Sequence, residues 1–377
     1  MLMHHSAEDY NIAASIAATE ARGKFEAEIE RGKSRAIAVL EQIETQVPTD
    51  RVVPAKGLNF RVADGRIKVR FNDRDETEEG FHRHAVGQVA GKLNVPLTYI
   101  DRLTGSGEWG QELIADSFNR IIANSTTASG RFLTRSVNDE VRGFLSDSYR
   151  RLDSRPIVDS FIQTMQKFGA VPLDGFALDT KIAIKAALPY VFEPVPNEVM
   201  IFGVALENSD FGNGALSIRS FVERLWCTNR AISTEDLRKI HLGARLGENL
   251  QLSQRTYELD TQTMASAAED IVTQSISAEN VNRYMGIVKQ ANEEKVSASQ
   301  VSAFLKKHLT KQEAADTTEA FNSAEVEMMP AGQTRWRLSN AISWIANSKI
   351  EDEGRKLEVM RIAGAALDGG NIEAAAA

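Results

Sequence analysis

The run from Val199 to Ile232 constrains the fold of this chain most. It is rich in β-branched and aromatic residues on either side of a stretch containing Asn208 and Gly212-Asn-Gly214, residues that suit a turn. Two strands folded back on each other are expected. They are followed by Arg224-Leu-Trp-Cys-Thr-Asn-Arg230, an unusual mix for a plain core hairpin.

The segments before the hairpin extend the pattern. Residues 58–62 and 67–71 alternate around Ala63-Asp64-Gly65, and Asp-Gly is a strong hairpin signal. Residues 131–146 read as a second hairpin turning at Asn138-Asp139. Lys181-Ile-Ala-Ile-Lys185 alternates strictly, so its lysines share one face and its isoleucines the other. Helices are expected from His84 to Leu93, in pieces over 99–122 with a break at Thr104-Gly-Ser-Gly107, and from Ser154, a capping residue, to Gly169.

The flanks read differently. Residues 7–46 are helical in pattern, with a thin apolar stripe weakened at Gly23 and Gly32, which suits an arm packed on a neighbour or on the body. From about 256 the pattern is helical again, with caps at Ser277, Ser297 and Thr310. Trp336 and Trp344 stand in an otherwise polar helix. The expected class is therefore α+β: a central antiparallel β-hairpin sheet with covering helices. The expected division is an N-terminal helical arm at 1–50, a central α+β domain at 51–250, a helical C-terminal region at 251–368 and a disordered tail at 369–377.

The formal net charge is -8, which gives no global nucleic-acid signature. Residues 51–250, however, carry 26 Lys and Arg against 25 Asp and Glu, so a near-neutral centre between acidic flanks has room for a local basic face. The single cysteine, Cys227, excludes an internal disulfide framework and suits a reducing compartment. No stretch is long and apolar enough for a membrane span, and a cytoplasmic location is expected.

Chemistry is sparse. There is no phosphate-binding loop, no dinucleotide glycine fingerprint and no nucleophile elbow. His82 and His84 lack a third ligand nearby. Cys227 lacks a local histidine. The acidic cluster at 73–79 reads as a solvated loop, and Glu207 with Asp210 as an Asx-type turn. No catalytic residue, metal or cofactor is expected. The basic and aromatic residues carry more: Arg142, Tyr149, Arg150, Arg151 and Arg155; Lys181 and Lys185; then Arg219, Phe221, Arg224, Trp226, Arg230 and Lys239. Arginines pair with phosphates and aromatic faces stack on unpaired bases, so these side chains together would suit single-stranded nucleic acid. The plainer alternative is solvated charge over an aromatic core.

Three stretches taken together resemble a phage and plasmid family, the domain of unknown function 932. They are Phe144-Leu-Ser-Asp-Ser-Tyr-Arg-Arg-Leu-Asp153, Glu207-Asn-Ser-Asp-Phe-Gly-Asn-Gly-Ala-Leu216 and Arg224-Leu-Trp-Cys-Thr-Asn229. The stretches His84-Ala-Val-Gly-Gln88, Leu93-Asn-Val-Pro96, Gly332-Gln-Thr-Arg-Trp336 and Asn340-Ala341 fit it as well, so the resemblance covers roughly 55–350. The family carries no settled catalytic residues. The resemblance implies a mobile-element context near replication and recombination, the host cytoplasm as location, and a fold similar to phage single-strand annealing proteins of the RecT, Erf and Redβ type. The leading expectation is a non-enzymatic protein that binds single-stranded DNA, with strand annealing as the activity it would serve, assembling as a homo-oligomer through its helical flanks beside a replication or recombination protein of phage or host. The alternatives are a protein-interaction or structural module acting on a host factor, and a metal-dependent nuclease.

Overall fold

Strand alternation builds two sheets, not one. The computed structural model describes residues 10–71, 78–124, 130–225, 253–323 and 329–369, and the backbone of 229–232. The fold is α+β, as expected.

The first sheet runs β1 (Thr49–Pro54), β5 (Arg131–Val137), β6 (Glu140–Ser146), β4 (Glu78–Phe81), β3 (Arg66–Phe71) and β2 (Leu58–Ala63) in spatial order. Neighbours are antiparallel except β4 and β6, which are parallel. Both expected hairpins form. Asp64 and Gly65 have φ of 54° and 68°, and Asn138 and Asp139 have 52° and 59°. Two successive positive φ values make each a type I′ turn, whose twist matches that of its strands. One face of the sheet, including Phe60, Val69 and Phe144, buries against α2 (Arg83–Lys92), α3 (Leu97–Thr104) and α4 (Glu108–Asn124). The strict alternation of β2 and β3 leaves the other face polar.

The second sheet is antiparallel throughout, in the order β11 (Asn229–Ile232), β10 (Ser217–Arg224), β9 (Glu198–Asn208), β8 (Lys181–Val195) and β7 (Val171–Leu178). Every residue of β9 and β10 is buried, because helices cover both faces. Ile182, Ile184, Phe202, Val204 and Ile218 face α5 (Ser154–Lys167), α6 (Gln254–Ser275) and α7 (Ala278–Glu293). Ala183, Ala187, Ile201, Ala205 and Phe221 face α8 (Ala298–His308), α9 (Lys311–Asn322), α10 (Arg335–Ser348), α11 (Glu353–Asp368) and the first half of α1 (Ile16–Thr45). Gly203 makes room for this packing. A Cβ there would lie 2.5 Å from the Phe221 ring and 2.3 Å from the Ala186 carbonyl.

The helical flanks, expected to drive assembly, are thus walls of the second core. Ser277, Ser297 and Thr310 do cap α7, α8 and α9, the last two with full capping boxes. The helix carrying Trp336 and Trp344 is almost wholly buried despite its polar sequence. Its Ser339 hydroxyl donates to the Ala363 carbonyl of α11 at 2.8 Å, which satisfies a polar group that the sequence pattern places outside. Among the described residues no helix is long and apolar enough to cross a membrane.

Candidate nucleic-acid interface

The structure disperses the side chains that the sequence singled out. Lys181, Lys185 and Arg219 share one face of the second sheet, since Lys185 and Arg219 both stand opposite Ala205. Arg224 is on the other face, and Arg150 is off the sheet in the segment before α5. The expected common basic face therefore does not form. Period-2 alternation separates Arg219 from Arg224, five positions apart on one strand.

Most of these charges are spent on internal partners. Arg224, 5% exposed, forks onto Glu198 at 2.5 and 2.8 Å, and the Trp336 indole donates to the same carboxylate at 3.1 Å. Arg150 forks onto Asp260 of α6 at 2.6 and 2.5 Å. Lys181 pairs with Glu207 at 2.9 Å, and Glu207 also takes Arg361 of α11. Burial opposes ionisation of Glu207, but these two cations outweigh it and hold its carboxyl below the ordinary range. Arg142 donates to Gln46 at 2.6 Å and to the Asp179 carbonyl at 3.1 Å. Arg151 pairs with Asp50 at 3.2 Å and lies over the Tyr257 ring. Lys185, Arg219 and Phe221 are buried, Phe221 to 1% exposure. Tyr149 is half-buried, and burial raises its hydroxyl pKa against the charge of Arg135. Among the described members of the group only Arg155 is exposed. Trp226 and Lys239, together with Cys227, lie outside the described residues, as does the side chain of Arg230.

The stretches read from the sequence as distant motifs meet where the two sheets join. The loop between β9 and β10 inserts into the first sheet. His84 and Gln88 of α2 contact the Phe211 carbonyl at 3.2 and 2.9 Å, and Gln88 accepts from the Phe144 N–H at 2.6 Å. Gly143 lets the loop approach, since a Cβ there would lie 3.2 Å from the Phe211 Cα. Asp210 accepts from the Ser154 N–H at 2.8 Å and its hydroxyl at 2.7 Å. Ser154 was expected to cap α5; Asp153 holds the cap position instead, and Asp210, from a different strand pair, supplies the carboxylate at that helix N-terminus. At the centre sits Arg135, 1% exposed. Its Nε donates to Asp50 at 2.7 Å, one terminal nitrogen to the Asp210 carbonyl at 2.8 Å and the other to Asp153. Burial disfavours its charge, and the three aspartates more than restore it. Burial pushes the Asp210 carboxyl up to about 6 against the pull of Arg135 and Ser154.

The sequence reading missed both Arg135 and the exposed face of the first sheet. The β2–β3–β4 part of that face carries Arg61, Arg66, Lys68 and Arg70. Arg61 stands opposite Lys68, and Arg70 opposite both Asn59 and Glu78. Arg61 and Arg70, with side chains 52% and 49% exposed, share Glu78, and Lys68 pairs with Asp64 at 2.6 Å. Four cations on two adjacent strands thus stand against two carboxylates, one on β4 and one in the turn between β2 and β3. The signal was in the alternation: with Phe60, Val69 and Phe71 inside, the residues between them must point out.

No family model, curated protein or solved structure matches the chain. Among the described residues no three His, Cys, Asp or Glu side chains are arranged to hold a metal. Glu207 and Asp210, the pair nearest to a nuclease centre in sequence, turn to different partners, α11 and α5. The junction reads as a structural clasp. Among the described residues, the polar face of β2 and β3 is left open to solvent.

Proposed function

We propose that this chain is a non-catalytic protein of mobile-element DNA metabolism that binds single-stranded DNA on the open face of its first sheet. The row Arg61, Arg66, Lys68 and Arg70 carries this reading, because its three arginines are exposed and its lysine half-buried on an open face, with only surface acids as the partners shown, whereas Arg142, Arg150, Lys181 and Arg224 are engaged internally. Alternate residues along β3 are about 6.6 Å apart, a spacing suited to successive phosphates of an extended strand. The resemblance of residues 144–153 and 207–216 to a phage and plasmid family supports the context, including the host cytoplasm and a replication or recombination protein as neighbour.

Fluorescence anisotropy with a labelled oligonucleotide tests it. Four phosphate contacts give a log–log salt slope of roughly -2.8, and each cation removed lowers it by about 0.7. Arg66→Ala with Lys68→Ala should weaken binding and flatten the slope, while Arg155→Ala should do neither. No binding at low salt would end the proposal.

A second reading, self-assembly, rests on Leu97 and Tyr99 of α3 and Trp109 and Leu113 of α4, large apolar side chains left exposed. Light scattering of the wild type should then show an oligomer that Trp109→Glu reduces. A monomeric wild type would dismiss this reading.

A further inference from the structure

On the open face of the first sheet, two arginines converge on one carboxylate. In register, Asn59, Arg70 and Glu78 form one row across the strands, and Arg61, Lys68 and Gly80 form the next. Arg70 is therefore the direct neighbour of Glu78 and donates to one of its oxygens at 3.1 Å. Arg61 starts two strands away, about 10 Å across the sheet, and still donates to the other oxygen of the same carboxylate. Gly80 puts no side chain at the end of the row that Arg61 crosses. The Glu78 side chain is only 12% exposed, whereas the arginines that reach it are half exposed. Asp64 is different. Its side chain is 84% exposed and it pairs with Lys68, four residues along the same hairpin.

This convergence has a chemical meaning. A carboxylate and a phosphate offer guanidinium groups the same kind of paired acceptor oxygens. Two guanidiniums aimed at one carboxylate leave the group with a net charge of +1, more than Glu78 needs for its own neutralisation. Hydrogen bonding from Arg61 holds the Glu78 carboxyl below its ordinary range. It therefore stays an anion at neutral pH, and protonation does not free the arginines there. A competing anion can do so, because exposed ion pairs are individually weak.

We propose that Arg61 and Arg70 form a two-arginine phosphate site, that Glu78 fills it as an internal substitute for the phosphate, and that a backbone phosphate of single-stranded DNA displaces Glu78 on binding. The proposal rests on the sheet-face reading. It locates the grip on one phosphate and makes Glu78 the residue that holds the affinity of the face down.

Fluorescence anisotropy of the full chain with a labelled oligothymidylate, at about 0.1 M salt, tests it. Charges more than about 10 Å apart are largely screened there. Glu78→Gln, close to isosteric, should bind about threefold or more tighter than wild type. Glu112→Gln removes an exposed charge from α4, which covers the opposite face, and should bind like wild type. Arg61→Lys keeps the charge but loses the fork. It should weaken binding by about threefold or more, and it should cancel the gain when combined with Glu78→Gln. The inference is overturned if Glu78→Gln binds no tighter than Glu112→Gln, or if Arg61→Lys binds as well as wild type. In either case, weaker binding by Arg66→Ala with Lys68→Ala would leave the sheet-face reading standing. If that double variant binds like wild type, or if no variant binds at all, both fall together.

Discussion

At the scale of single residues, burial in the junction clasp makes one carboxylate, that of Asp210, sensitive to pH. Asp210 has a folded pKa of about 6 against an ordinary 3.8. Between those values the folded state binds a proton that the unfolded state releases, so this residue makes stability fall as pH rises from about 4 to about 6, by at most about 3 kcal/mol. Glu313 works in the opposite sense. Hydrogen bonds from Arg355 hold it at about 2, so its contribution is present above an ordinary 4.5 and is lost as pH falls toward 2. The Asp210 effect must therefore be read as a difference between proteins. Urea unfolding at pH 4 and pH 7 should show wild type losing more stability than Asp210→Asn over that rise, since the amide still accepts from Ser154 and carries no charge. Equal changes in the two proteins would show that Asp210 does not titrate in this window. Little of this could be read in the sequence. Asp210 looked like a turn residue because its partners, Ser154 and Arg135, are 56 and 75 residues away.

At the scale of elements, α1 shows how a local rule is overridden by packing. Gly23 and Gly32 both weaken a helix by propensity. They differ in surroundings. Nothing lies within 4 Å of a Cβ built on Gly23, whereas one built on Gly32 would fall 1.7 Å from the Leu173 carbonyl. From the other side, a Cβ on Gly175 of β7 would lie 3.0 Å from the Ala36 Cα, so helix and strand meet backbone to backbone. Gly23→Ala should stabilise the protein by up to about 1 kcal/mol. Gly32→Ala should force α1 off β7 and destabilise by about 2 kcal/mol or more. Thermal unfolding of both variants checks the opposite signs, and a Gly32→Ala as stable as wild type would contradict the close approach. Elements whose signals are local were legible in the sequence: the Asp64-Gly65 turn, the caps at Ser277, Ser297 and Thr310, and the break at 104–107. Contacts such as Trp336 with Glu198, 138 residues away, were not, because strand alternation states which residues share a face but not what covers it.

At the scale of the whole molecule, the two sheets are stabilised in different ways. The first core is local: its buried members run from Val53 to Phe144. The second draws on the whole chain, from Ala18 and Val39 of α1 through the strands to Ala366 and Leu367 of α11. A division at 250 cuts that core, because β9 and β10 are buried on both faces only when α6 to α11 are present. Exposing two such strands presents a long apolar surface to water, which favours aggregation over folding. A fragment of residues 48–150 should therefore unfold cooperatively, although without its clasp partners Asp210 and Phe211 it should be less stable than the same region in the full chain. A fragment of residues 51–250 should bind a hydrophobic dye and unfold without a cooperative transition in its second half. If 51–250 instead unfolded as one cooperative, dye-free unit, the C-terminal helices would be ornaments on a self-sufficient domain.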